Sequence, residues 1–397
     1  MRAVARALLL VFVFAVPWEY SLDFGAPWGN VARLTGVVLL LVAVPAVFRE
    51  GRVRTPGPLH VLTLAVFLWM CATSLWSIDP ATTLERLPGY FQELMIVALA
   101  REFVADEREL RDVFCAWLLG SWVLAVLTAV AFAANAAAGT EIRFVAAGQD
   151  PNDVARFLAF GLPVAAFVFD ADPRRWFRWV AALYIPVGTA AILLTASRGG
   201  FVASLVALTG CVVLLAQKHR RLVFGGALAL PLFAVCLSLL LPAGSLARLA
   251  SIAAQVQGGD LNQRVNIWDA GWHAFLNAPF FGHGAGTFVS AAGLAPIDTA
   301  HNTVLSVLVE GGIAGLSIGI ALIACATAMA FNTHGVLRIA LLTLLAVLCV
   351  ASMVGTTGEN RMTWLLFALI GLAHRLSLPA EGQDASLRQA RAARVET

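Results

Sequence analysis

Charge is what this sequence most lacks. Only 13% of its 397 residues are charged, while 60% are apolar and the mean hydropathy is +0.82. A soluble domain carries roughly 25% charged residues. The deficit leaves too little polar surface to face water, which excludes a soluble enzyme. Cysteine outside apolar runs is lacking as well. Cys71, Cys115, Cys211, Cys236, Cys325 and Cys349 all lie within such runs. They show neither metal-ligand spacing nor a disulfide pattern, and read as small apolar residues. No glycine-rich turn follows a strand, so dinucleotide and P-loop readings fail. No paired aspartates on an outer loop suggest a metal-dependent sugar-nucleotide site.

What is present is a series of apolar runs, near residues 5–20, 30–48, 57–76, 88–104, 112–138, 153–170, 176–195, 199–216, 222–241, 302–331, 336–356 and 362–377. Each approaches the ~20 residues that a helix needs to cross a bilayer. An open sheet edge cannot sit in lipid, so the runs are helical. The expected fold class is all-α, a polytopic membrane protein with about twelve transmembrane helices. The opening run follows two arginines as a secretory signal would, but with so many later runs an uncleaved first helix is expected. An even number of spans puts both termini on one side. With that side cytoplasmic, the outside keeps eight basic residues of 27 (Arg33, Arg86, Arg143, Arg156, Arg198, Arg248, Arg264 and Arg361) and the inside holds the other nineteen. The bias follows the positive-inside rule.

The inside loops are too short for a catalytic domain. The expected organisation is helices one to nine over residues 1–241, a long outer segment at 242–300, helices ten to twelve over 301–377, and a polar, loosely ordered tail at 378–397. The chemistry is therefore expected on the translocated face. Within the outer segment, residues 245–257 have helical apolar spacing. Leu261, Val265, Trp268, Trp272 and Phe275 form a second helical stripe behind Asp260, a plausible cap. Such a helix can lie in the membrane interface with its tryptophans at headgroup depth. Arg264 falls inside the stripe, where it either snorkels to lipid phosphate or meets a bound anionic headgroup. The run Pro279-Phe280-Phe281-Gly282-His283-Gly284-Ala285-Gly286 reads first as a tight turn back to the membrane, with a phosphate-cradling nest as its alternative.

His301, followed by Asn302 at the mouth of the tenth run, has an imidazole suited to general-base work, or is an ordinary interfacial residue. His273, His283 and His301 with Asp298 match no compact zinc pattern, and no metal or other cofactor is expected. Arg198 lies on an outer hairpin of almost no length, Thr195-Ala196-Ser197-Arg198-Gly199-Gly200. Charges near lipid are costly, and a guanidinium fork fits phosphate oxygens; an ion pair with Glu310 or Glu93 is the structural alternative. Asp153 reads as a helix cap. Gly311, Gly315 and Gly319 repeat at four and predict close helix packing. Glu310 is placed to orient His301 through water or to pair an arginine.

Together these residues resemble the bacterial O-antigen ligase and polymerase superfamily. Three segments carry the likeness: 194–200 with Arg198; 264–286 with Arg264, Trp268, Gly271-Trp272 and the Pro279–Gly286 run; and His301-Asn302-Thr303 through Glu310-Gly311-Gly312 to Gly315. Asp150-Pro151-Asn152-Asp153 is a weaker fourth. The resemblance implies a GT-C-like fold and an inverting, metal-independent transfer of glycan from undecaprenyl diphosphate, in the inner membrane with the site facing the periplasm. For a ligase the acceptor is the lipid A-core oligosaccharide. Membrane lipids are the other expected partners, and nucleic acid is not one. The family's functional groups carry over to His301 as base and to Arg198 and Arg264 as donor-binding residues. Asn302, Glu310, Arg156, Arg143, Arg361, Asp153 and Trp268 are supporting candidates. A polymerase or related oligosaccharyltransferase using the same donor is the alternative. Glu93 and Glu310 within apolar runs also allow a secondary transporter, although no internal repeat is visible.

Overall fold

The computed structural model describes residues 1–25, 28–51, 53–135, 143–146, 148–252, 254–255, 263–295 and 298–378. The expected cap Asp260, the stripe residue Leu261 and the tail beyond residue 378 lie outside these. Among the described residues the chain is all-helical, with no strand beyond an isolated bridge between Asp23 and Asn30.

The first nine helices are α1 (Arg2–Ala15), α2 (Val31–Glu50), α3 (Pro58–Thr73), α4 (Pro80–Phe103), α5 (Glu107–Asn135), α6 (Pro151–Ala171), α7 (Arg175–Leu194), α8 (Arg198–Ala216) and α9 (Arg220–Leu240). A 3-10 segment, Val16–Ser21, extends α1. Three shorter helices follow: α10 (Ala243–Ala250), α11 (Arg264–Asn277) and α12 (Phe288–Ala291). The chain then re-enters the bundle as α13 (Thr303–Phe331), α14 (Gly335–Val354) and α15 (Arg361–Ser377). A helix occupies each of the twelve apolar runs. Among the described residues nine helical segments are long and apolar enough to cross a membrane, and α3 is a shorter apolar one. The protein is a multi-pass membrane protein.

The helix starts show which end carries the polar chemistry. At α2, α4, α6, α8, α13 and α15 the side chains of Asn30, Asp79, Asp150, Ser197, Asn302 and Asn360 accept from first-turn amides. Of the helices running the other way, α1, α7, α9 and α14 begin without a side-chain cap bond, whereas Asp106 accepts from Glu109 N (2.8 Å) at the start of α5 and His60 Nδ1 accepts from Gly57 N (3.2 Å) at the start of α3. The first turn has orphan amides to satisfy, and at one end of the bundle a built-in polar layer does so. Asp150 caps α6, accepting from Asn152 N (2.7 Å) and Asp153 N (3.3 Å). The expected cap, Asp153, instead lies within the first turn and turns its carboxylate to Arg156.

At the centre stands α6, buried at every position from Val154 to Val168 and packed against α5, α7, α8 and α14. A helix apolar all round belongs inside. Small residues let its neighbours come close. A Cβ on Gly200 would sit 2.1 Å from the Ala155 Cβ, and one on Gly161 2.4 Å from the Tyr184 hydroxyl. At the opposite extreme, α9 has no buried residue, and its main packing is with α8.

Candidate functional site

The site begins with a break in α13. Gly312 adopts φ +66 and ψ −168 within the helix, a conformation that disfavours a side chain. The turn after α11 fills the break. Ile313 N donates to Pro279 O (2.8 Å) and Ala314 N to Phe280 O (3.2 Å), while His283 N and Gly284 N donate to the carbonyls of Val309 (2.8 Å) and Glu310 (2.9 Å). The Glu310 carboxylate accepts from Gly286 N (2.8 Å) and the Ser306 hydroxyl (3.0 Å), and Ala285 N donates to Thr73 Oγ1 (3.1 Å). The glycine-rich amides are therefore already engaged, so the turn is structural and the phosphate-nest reading does not hold. Glu310 anchors that turn; neither His301 nor an arginine is among its hydrogen-bond partners. Of the small-residue stripe, Gly311 and Gly315 pack against the Trp69 indole, but Gly319 faces open space.

This docking fixes α11 above α13. The buried side of α11 is Ile267, Gly271, Ala274 and Phe275, with Gly271 against Phe288 and Leu305. The expected stripe is thus only partly buried. Val265 and Trp272 are exposed, because contact with α13 runs through the small residues. Trp268 uses its indole N–H on Ala300 O (3.0 Å). An open, mostly apolar groove lined by Val265, Trp268, Trp272, Val304, Leu308 and Met353 starts beside Asn302 and carries Asp269 on its rim.

A second assembly joins the starts of α6 and α8 to α10. Asn152 Oδ1 accepts from Ser197 Oγ (2.8 Å) and from the Arg143 guanidinium (3.1 Å), and Arg143 Nε donates to Thr195 O (3.3 Å). Arg198 donates to Arg248 O (3.2 Å) and Ser251 Oγ (2.8 Å), and Arg248 donates back to Ala196 O (3.3 Å). These reciprocal bonds staple α10 to the α7–α8 corner. Burial lowers the Arg264 guanidinium below its usual range; Asp150 opposes this, and Arg198 and Arg248 act with burial. Arg143 is lowered likewise, by burial and then by Arg248, against Asp150 and with Arg264 and Arg198. Burial and Arg198 lower Arg248. Four guanidinium groups thus lie within electrostatic reach of one another. Partly desolvated like charges cost energy together, and a bound anion removes that cost.

His301 completes the constellation. Burial is the main cause that holds its imidazole below the ordinary histidine value; Arg264 and Arg156 act in the same direction, opposed by Asp150 and Asp298. The ring is therefore neutral at neutral pH, the state a base requires. Asn302 caps α13, accepting from Leu305 N (3.1 Å). Arg156, buried in the first turns of α6, pairs with Asp153, while its Nε and one terminal nitrogen have no hydrogen-bond partner among the described residues. It lies against Gly355, where a Cβ would overlap the guanidinium, and Thr303 Oγ1 binds Gly355 O (2.9 Å). Arg361 is engaged elsewhere, with Glu19 and Gln92 Oε1 (2.8 Å). His283 Nε2 donates to Ala274 O (2.8 Å), and His273 faces Asp269 at 3.8 Å; neither joins His301.

Backbone strain marks the same place. Three described non-glycine residues have positive φ: Ala196 (+48), Gln263 (+62) and His301 (+47). They are His301 itself, the residue before Arg264, and the residue two before Arg198. Strain of this kind clusters at functional sites. Sequence reasoning missed Arg248 and Asn152 as site-building residues. For Arg248 a signal existed, since it breaks the positive-inside bias as Arg198 does.

Residues 180–320 match the family described as O-antigen ligase. Over that segment the chain is similar to the family, which supports a place in the O-antigen ligase and polymerase superfamily. The matched segment contains Arg198, Arg248, Arg264, His301 and Glu310, and it stops short of Asn152 and Arg156 on α6. No curated protein matches the chain. Members of that family are glycosyltransferase-like enzymes, ligases and polymerases.

Proposed function

We infer that the chain is an O-antigen ligase, which transfers glycan from undecaprenyl diphosphate to the lipid A-core oligosaccharide at the periplasmic face. The observation that supports this best is the group of mutually repelling guanidiniums, Arg143, Arg198, Arg248 and Arg264, beside a neutral His301. Such a site favours an anion and leaves a base free to act on a hydroxyl. In the transfer, the acceptor oxygen attacks the anomeric carbon from the face opposite the diphosphate. The bond from that carbon to the phosphate oxygen breaks, its electron pair departs with the diphosphate, and configuration inverts. His301 takes the hydroxyl proton. The arginines stabilise charge that grows on the leaving group, which is where fixed donors contribute most. This is work that a divalent ion performs in other transferases, so the reading is metal-independent. The groove that starts at Val265 and Asn302, next to Arg264 and His301, takes the first prenyl units.

The test is transfer by purified protein supplied with the lipid-linked glycan and either lipid A-core or a second lipid-linked glycan. Ligase activity requires product on lipid A-core; product only on the second glycan makes the chain a polymerase. Arg198→Ala and Arg264→Ala are expected to lose about 10²–10³ in rate, with Lys a partial rescue because it lacks the fork. Near-normal transfer by His301→Ala removes the base assignment.

A further inference from the structure

A base must present a bare nitrogen, and a neutral imidazole has only one. Which nitrogen carries the hydrogen is set by the partner of the other. Around His301 the backbone is already fixed on both sides. Trp268 holds Ala300 O (3.0 Å), and Asn302 caps α13 through Leu305 N (3.1 Å). The ring is then oriented by its own contacts, and among the described residues one hydrogen-bond partner meets it: Thr299 Oγ1 lies 3.2 Å from His301 Nδ1. The nearby carboxylate of Asp298 accepts from Ala295 N (3.1 Å) instead. The other charges that act on the ring are Arg264, Arg156 and Asp150.

We propose that Thr299 is a positioning residue for the transfer, its hydroxyl oxygen accepting the Nδ1 hydrogen of His301 so that Nε2 is the basic nitrogen that faces the acceptor. The proposal rests on the reading of His301 as the base. The proton balance is simple. Nε2 takes the hydrogen of the acceptor hydroxyl, Nδ1 keeps its own, and the ring becomes an imidazolium. The bond to Thr299 then has a charged donor, and charge-assisted hydrogen bonds are stronger. Thr299 therefore helps the ring in the transition state more than in the resting state, against the unfavourable charges of Arg264 and Arg156. Thr299 is exposed, so its own hydroxyl hydrogen can point to water.

The experiment compares Thr299→Val, Thr299→Ser and His301→Ala with the parent protein in liposomes, using undecaprenyl diphosphate glycan and lipid A-core. Valine keeps the shape and removes the acceptor oxygen. It is expected to lower kcat about tenfold, a fraction of what a general base contributes, with the donor KM unchanged; serine restores kcat to within about twofold. The acid limb of the kcat/KM profile moves to lower pH in Thr299→Val, because an acceptor on Nδ1 stabilises the cation. A limb that moves to higher pH means that the hydroxyl donates to Nδ1, and overturns the proposal. So does unchanged kcat in Thr299→Val, or equal loss in the serine variant. In case valine perturbs folding, nitrogen-15 spectra of the parent protein with labelled histidine give an independent reading: Nε2 of His301 is bare if the proposal holds and protonated if it does not. An active His301→Ala defeats the base reading itself, whereas an inactive His301→Ala beside a fully active Thr299→Val defeats only the role of Thr299.

Discussion

A left-handed backbone costs an ordinary residue about 1–2 kcal/mol, and this protein bears that cost at Ala196, Gln263 and His301. The strain at Ala196 aims Arg198: its carbonyl is held by Arg248 and its side chain is fully buried. Ala196→Gly is expected to be neutral to about 1 kcal/mol stabilising, while Ala196→Val lowers the melting temperature sharply and cuts transfer; thermal unfolding in detergent checks both. The pH dependence follows from His301. Its value in the protein lies below the ordinary 6.5, so the base form persists at neutral pH, and kcat/KM falls only as pH drops through a value below 6.5. Bound diphosphate adds negative charge beside the ring and offsets Arg264, which raises the histidine value. The acid limb of kcat is therefore expected at higher pH than that of kcat/KM, and paired profiles on the same protein measure the difference.

Among the elements, α13 depends on a turn supplied from outside itself. A Cβ on Gly312 would lie 2.4 Å from the Phe280 carbonyl group, and one on Gly282 2.4 Å from Glu310 O. Gly312→Ala is expected to undock the Pro279–Gly286 turn, loosen α11 and reduce transfer more than tenfold without touching any group in the chemistry. Protease sensitivity between α11 and α13 together with activity is the measurement, and intact resistance with full activity would falsify the docking account. The helices also differ in what they bury. Leu158 on α6 is 0% exposed and Leu228 on α9 is 68% exposed. Leu158→Ala should cost about 2–5 kcal/mol, as core truncations do. Leu228→Ala, which leaves no cavity, should fall within about 0.5 kcal/mol of the parent.

Over the whole molecule, the capped starts of α2, α4, α6, α8, α13 and α15 share one end of the bundle with Arg143, Arg198, Arg248, Arg264 and His301. The excess of arginine at the other end predicts that the site-bearing end faces outward. In a variant freed of its six cysteines, Ser290→Cys is expected to react with a membrane-impermeant maleimide in intact cells, and Asn332→Cys only after permeabilisation; the reverse pattern inverts the topology. Transfer is also expected to survive EDTA. Activity that disappears with chelator and returns with a divalent ion removes the arginine-only account of the leaving group.

The sequence by itself determined the fold class, because 13% charge and long apolar runs leave helices in lipid as the only way to satisfy the backbone. It also singled out Arg198, Arg264 and His301 as candidates, their roles coming from the family resemblance, since position alone left a snorkelling arginine and an ordinary interfacial histidine as alternatives. It could not tell how a glycine-rich turn uses its amides. Only tertiary structure decided that they complete a broken helix, that Glu310 anchors them, and that Arg361 answers Glu19. The same holds for Arg248, Asn152 and Thr299. Periodicity records which side of a helix is apolar, but hydrogen bonds between segments dozens of residues apart depend on how the helices pack, and no local pattern carries that information.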